Sequence, residues 1–328
     1  MSDPRLVVVG ENVMDLLPTA HGAEVVRASP GGGPANTAVA AARLGLPTRF
    51  LARIGSDEFG ARIRARLLSE GLDPEGLVEA EEPSALAMAT FREDGSAHYD
   101  FRMADAADWF WRPGELPERL PPSVGAVHAA SIALFREPGA TLIEALMSRE
   151  KDRGEVTLSV DPNIREQVIG VPDTARALAL RHLAQAHLVK ASDEDLGFLF
   201  PELGAEEAVR AVADLGPSLV VATLGSDGAL ALRRGTGTAG AAEARVPAPE
   251  VAVADTVGAG DSFMGALLHW LDRNGSLGSD PAARLAGLGE SDLRALLAHA
   301  AAAAAHTVTR VGADPPTEAE LGTPDRTG

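Results

Sequence analysis

Short apolar runs alternate with helical stretches along most of this chain, and glycine or proline often closes the helices. Residues 6–9 read as a strand, and 35–44 as a helix that stops at Gly45 with Pro47 beyond. The same unit recurs: strands at 49–54, 124–130, 157–160, 187–190 and 219–223 alternate with helices at 59–69, 138–149, 173–183 and 205–215, and further helices follow Asp261 and span 291–306. Strands that take turns with helices predict a mostly parallel sheet covered on both faces. Two stretches break the rhythm. Residues 13–30 and 85–103 are β-rich, and Asp94-Gly95 sits as a hairpin turn within the second. Both are expected to be antiparallel strands outside the main sheet, forming a small lid.

The 328 residues, 45% of them apolar, are enough for one large α/β domain or a large domain with a small one. With no cysteine, disulfides, thiolate metal sites and cysteine nucleophiles are excluded. The eight histidines show no metal-ligand spacing. A net charge of −18 argues against a nucleic-acid partner. No apolar run reaches the length of a membrane span, and the N-terminal run is too short for a signal-peptide core, so a cytoplasmic location is expected. Neither lysine, Lys151 or Lys190, sits in a Gly-Lys-Ser/Thr string, so there is no P-loop.

Chemistry concentrates where strands end. Asp255-Thr256-Val257-Gly258-Ala259-Gly260-Asp261 leads into an apolar helical segment. The free backbone N–H groups at such a start, with the helix dipole, can hold an anion. A carboxylate there repels phosphate as a ligand, but as a base it can take a proton from a hydroxyl about to attack that phosphate. An aspartate N-cap after a glycine turn would also account for this string alone. Gly31-Gly32-Gly33-Pro34-Ala35-Asn36 precedes the first helix, and Asn36 offers a donor and an acceptor suited to sugar hydroxyls. Taken alone, it reads equally as a flexible loop before a helix. Asp15 follows the first strand and can accept two hydroxyl hydrogen bonds, or be a solvated loop aspartate. Arg165, after Asp161-Pro162-Asn163-Ile164, can span substrate and transferring phosphate. Ser192-Asp193-Glu194-Asp195 can hold Mg²⁺ through water or simply cap a helix. Thr223-Leu224-Gly225-Ser226-Asp227-Gly228 is a plain turn or a glycine-lined nucleotide edge. Several such clusters at one end of one sheet weigh more than each separately.

Together, Gly31 to Gly45, Asp255 to Leu268, Ile54-Gly55-Ser56-Asp57-Glu58-Phe59-Gly60 and Thr309-Arg310-Val311-Gly312-Ala313 resemble the signatures of the PfkB (ribokinase-like) family of carbohydrate kinases over about residues 5–316. The resemblance implies a three-layer α/β ribokinase-like fold with a mostly parallel central sheet and a small β-strand lid, and ATP-dependent phosphorylation of a sugar hydroxyl. It implies Asp261 as base, Gly258, Ala259 and Gly260 as anion hole, and Arg165 as a bridge between sugar and phosphates. Asp15, Gly31, Gly32 and Asn36, with Arg102, would meet the sugar. Lys190, Ser192, Thr223, Gly225 and Gly228 would lie along ATP. Mg²⁺ is implied, reached through water from Asp195, and a monovalent cation such as K⁺ is placed near Asp255 and Val257. The kinase domain would span 1–312, with lid strands from about 11–30 and 84–110, a flexible tail over 313–328, and a homodimer formed through the lid.

Three positions depart from the family pattern: Ser192 and Asp195 stand where Asn-x-x-Glu is frequent, and Gly33 where a larger residue is more usual. Phe101-Arg102-Met103-Ala104-Asp105-Ala106-Ala107-Asp108 resembles the Phe-x-Arg-x-x-x-Ala-Asp string of fructokinases, although Arg102 follows Phe101 directly. Pro34 and Asp161 to Arg165 lean the same way. Fructose is therefore the leading substrate and 2-keto-3-deoxygluconate the runner-up. A phosphosugar fits less well, because the lid region holds no lysine. A non-catalytic sugar sensor of the same fold is the alternative from another class, and the presence of Asp261 speaks against it.

Overall fold

The computed structural model describes residues 3–18, 25–91, 97–235 and 240–322. Its strands in chain order are β1 (Leu6–Val9), β2 (Val13–Pro18), β3 (Val26–Gly31), β4 (Thr48–Gly55), β5 (Leu77–Ala80), β6 (Ala85–Phe91) and β7 (Ala97–Arg102). There follow β8 (Ala126–Ala130), β9 (Thr157–Asp161), β10 (Leu188–Ser192), β11 (Leu219–Thr223), β12 (Ala229–Arg233) and β13 (Ala242–Val246). Nine of them form one sheet in the order β13-β12-β11-β10-β9-β8-β1-β4-β5. Pairing is parallel from β5 to β11, and β12 and β13 extend that edge antiparallel. The central strands are continuous apolar runs because both faces are covered. Val7 and Val9 enter the core beneath helices Gly139–Arg153, Pro172–Gln185, Asp193–Leu199 and Ala205–Asp214. Leu6 and Val8 enter the opposite core, beneath Gly33–Arg43, Glu58–Ser69, Ala259–Arg273 and Glu290–Val308. This is the expected three-layer architecture.

The remaining four strands form a separate sheet in the order β3-β2-β6-β7. It is the expected lid, with one correction: β2 pairs with β6 in parallel, while β2–β3 and β6–β7 are antiparallel. Each hairpin is local, but the two hairpins join through strands far apart in sequence, and turn chemistry says nothing about that union. The Asp94-Gly95 turn lies outside the described residues. The lid's base is stapled by Arg53, which is 1% exposed: it donates to the Ala107 carbonyl (3.1 Å) and pairs with Glu82 (2.6 Å) and Glu115 (2.5 Å). Asn12 bridges the same place, donating from Nδ2 to the Arg53 carbonyl (2.9 Å) and from its backbone to Asp108 (2.7 Å).

Part of the tail expected to be flexible over 313–328 is bonded to the body through Asp314, Pro315 and Glu320, and residues 323–328 lie outside the described residues. Arg43 donates to the Pro315 carbonyl (2.6 Å) and pairs with Asp314, and Glu318–Leu321 forms a short helix capped by Thr317.

One close packing sets the position of the site. Gly265 lies so near the helix Gly33–Arg43 that a Cβ there would stand 2.7 Å from Ala40 Cβ and 2.9 Å from the Ala41 nitrogen. The helix that carries Gly265, Ala259–Arg273, is also tied to Glu290–Val308 by Thr307 Oγ1 donating to Ser262 Oγ at 2.7 Å. Asp261 therefore sits at the start of a helix held from two sides.

Candidate active site

The direction of the sheet's growth reverses at β1: β4 and β5 lie on one side of it and β8 to β11 on the other. Ligands of open α/β sheets bind outside the carboxyl ends of the strands at such a reversal. There the chain places Glu11 to Asp15 after β1, Ser131 after β8, Asp161 to Arg165 after β9, Ser192 at the end of β10 and Thr223 at the end of β11.

Helix Ala259–Arg273 begins here. Its N-cap Gly258 has φ 77°, and a Cβ there would stand 2.6 Å from Ala313 Cβ, so both conformation and space demand glycine. The first backbone N–H groups of the helix, from Ala259 onward, have no intrahelical acceptor. Asp261 occupies the first turn. Asn36 Nδ2 donates to its Oδ2 at 2.8 Å, while Oδ1 faces Gly33, lying 3.4 Å from where a Gly33 Cβ would be. Burial raises the Asp261 pKa above the ordinary aspartate value, and the Asn36 hydrogen bond, Lys190 and Arg165 act against that rise.

Lys190 is buried and pairs with Asp161, Nζ to Oδ2 2.9 Å. A Cβ at Gly260 would come within 3.1 Å of Nζ, so the ammonium stands against the helix start. Burial alone would lower the Lys190 pKa, but Asp161, Asp195 and Asp261 together raise it and keep the ammonium charged. Burial pushes Asp161 up to about 6 even with Lys190 beside it, helped by the like charges of Asp195 and Asp261. At neutral pH both partners are ionised.

The turn after β9 is strained. Asn163 has φ 38°, unusual for a residue with a side chain, and its backbone N–H donates to Asp161 Oδ1 at 3.1 Å. Arg165 follows, exposed and bonded to the carbonyl of its neighbour Ile164 (3.0 Å). Its charge nevertheless reaches Asp261.

On the lid side, Asp15 lies over Gly31, where any Cβ would overlap its carboxylate. Burial, and then Asp261, push Asp15 up to about 7. Gly32 has φ 101°, and a Cβ there would stand 2.9 Å from both Asn12 Cα and the Glu11 carbonyl oxygen. Arg102 is not joined to this group: it pairs with Asp100 of its own strand (2.8 Å) and is 68% exposed. Two further buried acids, Glu11 and Asp108, stand beside the site. Burial pushes Glu11 up to about 7 and Asp108 up to about 8. Asp108 closes the string quoted above, which was one available pointer; Glu11, one residue past an apolar strand, gave none.

Ser192 and Asp195 form a capping box. Asp195 Oδ2 accepts from the Ser192 N–H (2.8 Å) and hydroxyl (2.7 Å), and Oδ1 accepts from the Ile164 N–H (2.7 Å). The carboxylate thus fixes the turn before Arg165 as well as the helix start. Gly225 (φ 53°) and Gly228 (φ 90°) shape the turn after Thr223, and a Cβ at Gly228 would stand 2.7 Å from the Ala248 nitrogen. Asp255 ties two loops, accepting from the Val257 N–H (3.1 Å) and the Gly312 N–H (2.8 Å). A cleft of about 590 Å³ opens beside Leu224, and Asp193, Glu206, Glu207 and Asp227 line it together with Arg210 and Arg245.

A family model for the pfkB family carbohydrate kinases matches residues 3–320. The chain belongs to that family. This sugar kinase is 34% identical to Fructokinase-1 of Zea mays over 325 residues, covering 96% of each chain. It is also 34% identical to the fructokinase of Klebsiella pneumoniae over 278 residues, covering 83% of this chain and 85% of the other. Among solved structures, the fructokinase of Xylella fastidiosa with bound ATP superposes with a TM-score of 0.85 at 25% identity, covering 97% of both chains. A double mutant of the Vibrio cholerae O395 fructokinase with fructose, ADP and potassium ion superposes with a TM-score of 0.80 at 30% identity, covering 98% of both. No described helix of this kinase is long and apolar enough to cross a membrane.

Proposed function

We propose that this kinase transfers the γ-phosphoryl group of ATP to a hydroxyl of a neutral ketose, fructose first. The observation that carries the reading is Asp261 in the first turn of a helix that starts beside Lys190. The hydroxyl oxygen attacks phosphorus as its proton passes to Asp261, and the bond to the β-phosphate oxygen breaks, releasing ADP. The growing charge is met by the amides of the Gly258–Gly260 loop, by Lys190 and by Arg165. Asp15, Gly31, Gly32 and Asn36 hold the sugar, and Thr223, Gly225 and Gly228 line the nucleotide. Among the described residues no group of His, Cys, Asp and Glu is arranged to cage a metal. Mg²⁺ keeps most of its waters and is held chiefly by substrate phosphates; Asp195 would act on it through water. Asp255 and Val257 are the place for K⁺, because the Asp255 carboxylate already gathers the loops at 255–257 and 312. A dimer through the lid would use the edge strand β3, where Val26 is 48% exposed.

The acids favour fructose over 2-keto-3-deoxygluconate. The sugar acid would bring its carboxylate toward the Asp15 and Asp261 carboxyls, while Lys190 is committed to Asp161 and Arg102 to Asp100. A second anion beside Asp261 in a partly desolvated pocket is costly. The test is a coupled assay with fructose, 2-keto-3-deoxygluconate, ribose and fructose 6-phosphate at equal concentration. Fructose is expected to give the highest kcat/KM. Highest turnover with either anionic sugar would overturn the charge argument, and sugar binding without any turnover would favour the sensor.

Arg165 tests the transfer step. Arg165→Ala is expected to lower kcat by about 10- to 100-fold, and Arg165→Lys by less, since the charge stays but the planar fork is lost. Unchanged kcat/KM for both ATP and sugar in Arg165→Ala would reduce the residue to a surface charge.

A further inference from the structure

Three described residues other than glycine have positive φ, and two of them, Ser131 (64°) and Asn163 (38°), meet at one point. That point is where a Cβ at Gly33 would stand: Asn163 Nδ2 is 2.6 Å away, Asp261 Oδ1 3.4 Å and Ser131 Cβ 3.5 Å. Residues in sparsely populated backbone regions persist only where the surroundings over-determine them, and they cluster at working sites. The Asn163 turn has its anchor in Asp161. The Ser131 corner is anchored by Glu11. Its carboxylate, 1% exposed, accepts from the Ala133 backbone N–H at 3.1 Å, and the Ser131 side chain acts to lower its pKa against the rise from burial. A buried acid near Asp108 and Asp261 is costly to keep. A hydrophobic residue would fill the space, yet it would leave the Ser131 corner and the Ala133 N–H without a partner.

We propose that Glu11 is a positioning residue for the acceptor end of the sugar: by holding the left-handed Ser131 corner, it fixes the wall opposite Asp261 against which the attacking hydroxyl is oriented. The inference rests on the kinase reading above. Glu11 acts through Ser131 and needs no contact with substrate.

The test uses Glu11→Ala, Ser131→Gly and the double variant of the full chain. Glycine adopts a φ near +64° without strain, so Ser131→Gly keeps the corner with no anchor. Glu11→Ala is expected to raise the sugar KM by about 10- to 100-fold with the ATP KM nearly unchanged. Adding Ser131→Gly is expected to recover most of that loss. Hydrogen exchange at the Ala133 amide should quicken in Glu11→Ala and stay quick in the double variant, which still lacks its acceptor. Equal loss of affinity for sugar and ATP, or no recovery in the double variant, would mean that Glu11 only supports the fold, and would overturn the proposal. So would unchanged exchange in a Glu11→Ala protein whose sugar KM had risen. If Glu11→Ala fails to fold, Glu11→Gln takes its place: with one acceptor oxygen for two donors, it should show a smaller rise in sugar KM alone. Absence of phosphorylation of any sugar by the wild-type chain would overturn the kinase reading instead, and the exchange measurement would still decide the anchor.

Discussion

Asp261→Asn is expected to lower kcat by about 10²-fold or more while sugar and ATP still bind. The substitution preserves shape, and its amide oxygen can still accept from Asn36 Nδ2, which now meets Asp261 Oδ2 at 2.8 Å. What disappears is the site that takes the hydroxyl proton. The pH profile gives a second reading. Burial raises the Asp261 pKa, and a base must be unprotonated to act. Wild-type kcat should therefore fall on the acid side at a pH above the ordinary aspartate range. In Asp261→Asn the residual rate should lose that limb. Calorimetric binding of ATP and sugar, with kcat followed across pH, checks both parts. Near-normal turnover in the variant would remove Asp261 from the chemistry.

Much of the frame was legible in the residues, for reasons that can be named. Leu6–Val9 and Leu219–Thr223 are short, uninterrupted apolar runs, as buried parallel strands are, and the structure has them at those bounds. β12 and β13 escaped notice: Ala229 to Arg233 and Ala242 to Val246 are rich in alanine, leucine and arginine, which on their own favour helix. Only the antiparallel pairing of β12 onto β11, and of β13 onto β12, makes them strands. The anion loop and its aspartate could be read because consecutive residues build them. The surroundings of Asp261 could not. Gly33 and Asn36 come from one helix, Asn163 from the turn after β9 and Lys190 from β10, and no local pattern announces that Lys190 turns toward Gly260. Glu11 and Asp108 were hidden for a further reason. A buried carboxylate and a solvated one are the same letter, and only tertiary packing tells which is which.

Lys190→Met is expected to cost about 3–5 kcal/mol of stability, the usual price of leaving one partner of a buried ion pair alone. Asp161 is 2% exposed and already pushed upward by burial, with Asp195 and Asp261 near it; without the ammonium it must take up a proton or stay an uncompensated charge. The same variant is expected to lose turnover, because Lys190 stands against the helix start where phosphoryl charge would gather. One substitution cannot separate the two effects, but a second can. Asp161→Asn added to Lys190→Met removes the stranded charge, and well-matched neutral replacements of buried pairs are often close to neutral in stability. The double variant should therefore regain most of the urea midpoint lost by Lys190→Met while its kcat stays low. Recovery of both would make the pair purely structural. Recovery of neither would mean that Asp161 serves the Asn163 turn, through its 3.1 Å bond to the Asn163 N–H, more than it serves Lys190.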